Sequence, residues 1–240
     1  MGGLKLGMGD FRIGAALAVA LLIAAPALAV NYKNPAHDYE DGQFSVGANI
    51  ESFSRTVEDE DGNESDFDIS VVGAGLGFGL GGEGLLNLNF NLVSIKPEGG
   101  DTATGAEISA QYRHNLDADA EFEADAKPFQ RFRLGLVFSA RLGSAEDSDG
   151  NGVDYYQFDG GFGGSTPLFD QALLYAGGVV SILVGEVFFD ATDDTVEIFG
   201  SDPVGLFGGF EFKQSETLIL GAELHVIHEW GIGLYIDALL

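Results

Sequence analysis

Among its 240 residues the chain has no cysteine, so neither a disulfide framework nor a thiolate metal centre supports it. Basic residues are scarce: 11 Lys and Arg stand against 38 Asp and Glu, a formal net charge of −27. Phosphate backbones are held by clustered Lys and Arg, so a nucleic-acid partner is excluded. Proline is rare, at 6, and tryptophan occurs once. Beyond the first 29 residues no apolar run reaches the ~20 residues a spanning helix needs. The longest candidate, Ala172 to Val184, carries Gly177, Gly178 and several β-branched residues, and reads as a strand. What is abundant is glycine, 36 residues of it, in a chain that is 45% hydrophobic.

The first 29 residues read as a targeting segment, 1–29, removed on export. Lys5 and Arg12 supply a positive start, Ile13 to Ala25 an apolar run, and Ala27-Leu28-Ala29 a small-residue cleavage site. Residues 30–42 read as an irregular lead on the periplasmic side, and 43–240 as a single domain.

That domain alternates. From Thr217 the even positions run Leu218, Leu220, Ala222, Leu224, Val226, and later Trp230, Ile232, Leu234, Ile236, Ala238, Leu240. The odd positions, Gly221, Glu223, His225, Gly231, Gly233, Tyr235 and Asp237, are mostly small or polar. A period of two means strand. The same alternation marks ten runs: 43–54, 66–80, 85–96, 105–114, 129–142, 153–164, 171–189, 195–213, 217–228 and 230–240. The eighth is interrupted at Ser201-Asp202-Pro203. Turns that are short or acidic separate them, as in barrels with short periplasmic turns and longer outer loops. The fold expected is all-β: a closed antiparallel up-and-down transmembrane barrel of ten strands, dropping toward eight if 195–213 does not pair or the ninth and tenth runs are one strand.

On the lipid side of such a wall an Arg or Lys costs about 2–4 kcal/mol at the midplane. The charged members of the alternation therefore point inward: Glu107, Arg113, Arg131, Arg133, Arg141, Glu223, His225 and Asp237. Buried charges need partners, so these residues are expected to form an ion-pair network filling a narrow lumen, with Glu223 opposite one of Arg131, Arg133 and Arg141. A soluble lipocalin-like barrel would have the reverse arrangement, apolar inside and polar outside. Trp230, Tyr112, Tyr155 and Tyr156, near strand ends, suit interfacial aromatic girdles.

From the targeting segment through the ten runs, the chain resembles the small OmpA-like or opacity-type bacterial outer-membrane β-barrels. It departs from them in ending at Leu240, where members usually carry an aromatic residue. The resemblance implies the bacterial outer membrane, its lipid and the barrel-assembly machinery as partners, and an extracellular ligand of unspecified kind. It implies a structural or surface-interaction role, with a porin-like small-solute pore as the alternative and a lipid- or peptide-hydrolysing barrel enzyme as a remoter one.

Two motifs bear on chemistry. Asp147, Asp149 and Asn151 open like a calcium loop, but Phe158 stands where the bidentate Glu belongs. An ordinary Asp/Asn/Gly turn is the simpler reading, with weak divalent binding by the acidic loops beside it and no cofactor. His225, His228 and Glu229 hint at a hydrolase, yet no serine neighbours them in a nucleophile context; lumen or rim polarity accounts for them, and no catalytic residue is assigned.

Overall fold

The computed structural model describes residues 32–36, 41–81, 83–117, 131–169, 171–192, 194–226 and 229–240. The targeting segment, His228 and most of the 115–128 connection lie outside the described residues. The strands are β1 (Phe44–Asp59), β2 (Glu64–Leu80), β3 (Gly84–Pro97), β4 (Ala103–Asn115), β5 (Arg133–Glu146), β6 (Gly152–Phe169), β7 (Ala172–Phe189), β8 (Asp194–Gly200), β9 (Val204–Ser215), β10 (Leu218–Val226) and β11 (Trp230–Leu239). All pair antiparallel, and β11 closes on β1 from Ser45↔Leu239 to Ser54↔Trp230.

β8 and β9 are two parts of one strand, so the barrel has ten. Both run along β7, with partners Val184↔Phe199 on one side of the break and Val180↔Val204 on the other. One more residue separates the pairs on β8–β9 than on β7, which is a bulge at Ser201-Asp202-Pro203, where Pro203 still accepts from the Ser181 N–H. The bulge switches the inward parity from Ile198 to Phe207. It also changes the neighbour: β9 pairs with β10, whereas β8 pairs with β1 at Val57↔Gly200. The wall is therefore ten strands around at the end carrying the start of β1 and the end of β11. At the end carrying the acidic turns β8 closes directly on β1; 195–213 pairs and the last two runs are separate strands, so the count is ten and not eight.

Alternation decides the two faces. On β3, Leu88, Phe90 and Leu92 are 45%, 60% and 71% exposed on the outside, while Asn87 and Asn91 are buried inside. On β2 the inward positions facing them are Gly73, Gly75 and Gly77. A Cβ at Gly73 would collide with the Asn91 side chain, and one at Gly75 with Asn89. Glycine here makes room for the neighbouring amides.

Strand ends differ from expectation at the acidic side. β1 continues past Ser54 to Asp59 and β5 past Leu142 to Glu146, so strand rather than loop carries the wall outward. The turns at their tips match each other: Asp59-Glu60-Asp61-Gly62-Asn63 and Asp147-Ser148-Asp149-Gly150-Asn151. In each, glycine takes a left-handed φ, 83° at Gly62 and 85° at Gly150, as a three-residue hairpin loop requires.

Candidate functional site

The inner face divides into a polar half and an apolar half. In the polar half, on the side of the termini, Arg141 Nη1 lies 3.2 Å from Glu51 Oε2 and 3.7 Å from Glu107 Oε1. Glu107 also accepts from Asn91 Nδ2 at 2.6 Å and from the Tyr155 hydroxyl at 2.7 Å, and Glu51 accepts from Asn49 Nδ2 at 2.6 Å. These groups are all buried. Their attraction is offset by desolvation, but removing one member would strand the others.

The rest of this half is filled by the chain itself. Tyr32 to Ala36 belong to the segment expected as a periplasmic lead; instead they lie buried inside the lumen. Lys33 Nζ is 2.8 Å from both oxygens of Asp237, and Asn34 Nδ2 is 3.1 Å from Glu211 Oε2. The Tyr32 N–H donates to Glu223 Oε1 at 2.6 Å, and Arg113 Nη1 donates to the Asn34 carbonyl at 3.2 Å. Lys33 adopts a left-handed φ of 56°, an uncommon backbone for this residue type, which suits a segment anchored on several walls. Gly135 is what lets it in: a Cβ there would collide with the Pro35 carbonyl.

Beneath Tyr32, whose ring stacks on His225 at 4.9 Å between centroids, sits a buried Glu223–His225–Glu229 group. His225 Nε2 is 2.6 Å from Glu223 Oε1, and Nδ1 is 3.1 Å from Glu229 Oε1. With a carboxylate at each ring nitrogen, the doubly protonated imidazolium is the form that donates to both.

Of the charged residues expected inside, Glu107, Arg113, Arg141, Glu223, His225 and Asp237 are buried in the lumen. Arg131 and Arg133 are only half-buried: Arg133 begins β5 and Arg131 precedes the strand. Glu223 meets His225 and Tyr32 rather than an arginine. Tyr155 is not a girdle residue: it faces inward onto Glu107. Tyr156 and Trp230 do face outward, 54% and 71% exposed. Alternation could have placed Glu51, Arg55, Asp159 and Glu211 inside as well, since each shares the inward parity of its strand. Lys33 had no such signal, because it lies in no strand.

Toward the acidic turns the inner face becomes apolar. Val57, Phe67, Ile95, Ala103, Val153 and Ile198 line an open cavity of about 570 Å³. Asp59, Glu98, Asp101 and Asp147 stand at its rim, and no Lys or Arg is in its lining. A lumen lined by Arg, Glu and His thus describes only one half. In the polar half a void of about 10 Å³ lies beside Lys33, Glu51 and Arg141, little more than room for one water.

The calcium-loop residues are used by their own turn. Asp147 Oδ1 accepts from the N–H groups of Asp149 and Asn151 at 2.8 and 2.9 Å, and Oδ2 from Asn151 Nδ2 at 3.0 Å. Asp59 binds Asp61 and Asn63 in the same way. The side-chain amide of Asn151 is the main reason the Asp147 carboxyl is held below the usual aspartate range, and Asn63 does the same for Asp59. Among the described residues no group of three or more His, Cys, Asp or Glu is placed to hold a metal ion.

An apolar outer belt around a polar, hydrogen-bonded interior is the arrangement of a transmembrane β-barrel, where closure leaves no unpaired edge in lipid. No protein-family model and no curated protein matches the chain. Among solved structures it is similar to outer-membrane barrels. The translocator domain of the autotransporter NalP from Neisseria meningitidis aligns at 11% identity and a TM-score of 0.46, covering 96% of this chain and 95% of that one. The Pseudomonas putida toluene transporter TodX aligns at 10% identity and a TM-score of 0.30, covering 90% and 94%. These likenesses concern barrel architecture alone.

Proposed function

We propose that the protein is a bacterial outer-membrane barrel, exported by its cleaved 1–29 segment, with a closed lumen and a surface-interaction role. The acidic turns and the apolar cup face outward. The observation that carries this reading is the burial of Tyr32 to Ala36 within the lumen, tied to Glu223, Asp237, Glu211 and Arg113. On this reading a segment held on four walls by charged and neutral hydrogen bonds blocks a continuous water path. The reading assigns His225 no catalytic role: both its ring nitrogens already face carboxylates, so neither is placed to take a proton from a nucleophile.

Planar-bilayer recording tests it. The wild-type barrel should show no stepwise conductance. Gly135→Val, which drives a side chain into the Pro35 carbonyl, should displace the segment and produce steps, with heat-modifiable gel mobility confirming a folded barrel. A wild-type protein that conducts as freely as the variant would replace this reading with the small-solute pore.

A further inference from the structure

The cup is apolar in its wall and negative at its mouth. Val57, Phe67, Ile95, Val153 and Ile198 line it, and its volume of about 570 Å³ falls within the ~300–1,000 Å³ range of small-molecule sites. The hairpins that frame the mouth contribute unequally. Asp59 comes from the β1–β2 turn, Glu98 and Asp101 from β3–β4, and Asp147 from β5–β6, whereas β7–β8 brings the half-exposed ring of Phe189. No Lys or Arg is in the lining.

These acids differ in what else they do. Asp59 and Asp147 are held by hydrogen bonds to both oxygens within their own turns, so they keep their charge but not their freedom. Glu98 and Asp101 are exposed, and neither side chain has a hydrogen-bond or ion-pair partner among the described residues. Gly99 and Gly100, between them, add no side chain to the mouth. Lys96, beside this turn, lies on the outer face with Asp68 as its register partner. At the opposite end the charge has the other sign. Arg55 is buried one inward position below Val57 and does not line the cup. Asp59 stands four residues further along β1, about 13 Å at the rise of a strand. The field therefore runs from positive below the cup to negative at its mouth, and apolar walls focus it. An anion is repelled at the mouth, and a compact cation gains nothing from the wall. A molecule that is cationic at one end and apolar at the other satisfies both.

We infer that the cup binds a small amphipathic cation, its ammonium head at the mouth beside Glu98 and Asp101 and its apolar body against Val57, Phe67, Ile95, Val153 and Ile198. The twin turns of Asp59 and Asp147 act as a fixed negative frame rather than as contacts. This inference deepens the surface-interaction reading and rests on it for the side from which the ligand enters.

The test is calorimetric titration of the folded barrel in zwitterionic lipid nanodiscs, with the heat of empty nanodiscs subtracted, using hexylammonium, hexanol, hexanoate and methylammonium. Hexylammonium should bind about tenfold more tightly than each of the others, and the methyl signals of Ile95 and Ile198 should shift with the same midpoint. The double variant Glu98→Gln, Asp101→Asn should lower hexylammonium to the affinity of hexanol and leave hexanol unchanged. Hexanol or hexanoate binding as tightly as hexylammonium would overturn the inference, because positive charge would then not be read. Methylammonium binding as tightly would overturn it as well, since the wall would contribute nothing. So would a double variant that keeps the full advantage over hexanol, or methyl signals that stay still at saturation. Should the double variant lose its heat-modifiable mobility, the wild type in ~1 M sodium chloride decides, because charges are then screened beyond ~3 Å. The advantage over hexanol should vanish there, and its persistence would refute the role of the acids. The two readings fail separately: wild-type conductance in planar bilayers would overturn the closed lumen, while the titration reports on the cup alone.

Discussion

The two halves of the lumen share strands β1 to β7, each with one inward parity along its length, yet they are opposite in character. β3 shows the change within one strand: Asn87, Asn89 and Asn91 point into the polar half, then Val93 into the apolar cluster and Ile95 into the cup. β1 passes from Asn49 and Glu51 to Phe53 and Val57 with one buried charge, Arg55, between them, and β6 runs the other way, from Val153 and Tyr155 to Gln157 and Asp159. The polar half is ten strands around and closed by its own chain; the cup is narrower in strand number and open. A wider ring needs filling, and hydrogen-bonded side chains plus an inserted segment fill it. The narrower ring meets water at its mouth and is lined by side chains that gain nothing from a plug.

If that contrast is correct, equal-sized changes should cost much more in the polar half. Arg141→Met leaves Glu51 and Glu107 facing each other without their shared cation, at a cost of about 3–5 kcal/mol. The expected readout is a lower urea midpoint at unchanged slope. A midpoint near wild type would mean that water reaches the carboxylates, and the polar half would have to be redescribed as wet.

A charge placed on the outside separates lumen from wall. Phe90 is 60% exposed at mid-strand on β3, so Phe90→Arg should cost about 2–4 kcal/mol near the midplane and reduce assembly into membranes. Folding yield into liposomes measures it. Full assembly of Phe90→Arg would show that this face does not meet lipid.

In the cup, Ile95→Val removes one methylene from a wall residue that is 1% exposed, and should cost about 0.5–1.5 kcal/mol. A loss as large as that of Arg141→Met would abolish the distinction between the halves.

Much of this was legible from residue order. The strand periods, the break at Ser201-Asp202-Pro203 and six of the eight charged lumen residues follow from alternation and the cost of charge in lipid. The cup was legible too, had the inward parity been followed past the charged residues to Ile95, Val57 and Val153. The plug was not. Residues 32–36 have no period, and their burial depends on acids contributed by β9, β10 and β11, nearly 200 positions away. Pairing was illegible for a related reason: Glu223 and His225 are neighbours on one face of one strand, and that local contact replaced a cross-barrel arginine.

The smallest expected effect concerns the twin turns, which frame the cup without belonging to its wall. Asp147 and Asp59 are partly exposed at the rim, and each is held below the ordinary aspartate range mainly by the side-chain amide four residues on. A carboxyl depressed in the folded state contributes its full share of turn stability above its unfolded value. That share fades as pH falls through the lowered folded value. Both turns should thus stay intact at neutral and mildly acidic pH and loosen only in strong acid. Carbon-13 titration of the two carboxyls should give midpoints below that of an unstructured aspartate, with the Asn63 and Asn151 amide signals moving at the same pH. Amides that shift without their carboxyl would dissolve the turn as described. Calcium provides the sharper contrast: both oxygens of Asp147 already accept hydrogen bonds from their own turn, so millimolar calcium should leave the Asn151 amide where it is. A calcium-dependent shift there would mean that the turn opens to serve as a ligand, and that the rim is a cation site rather than a rigid frame.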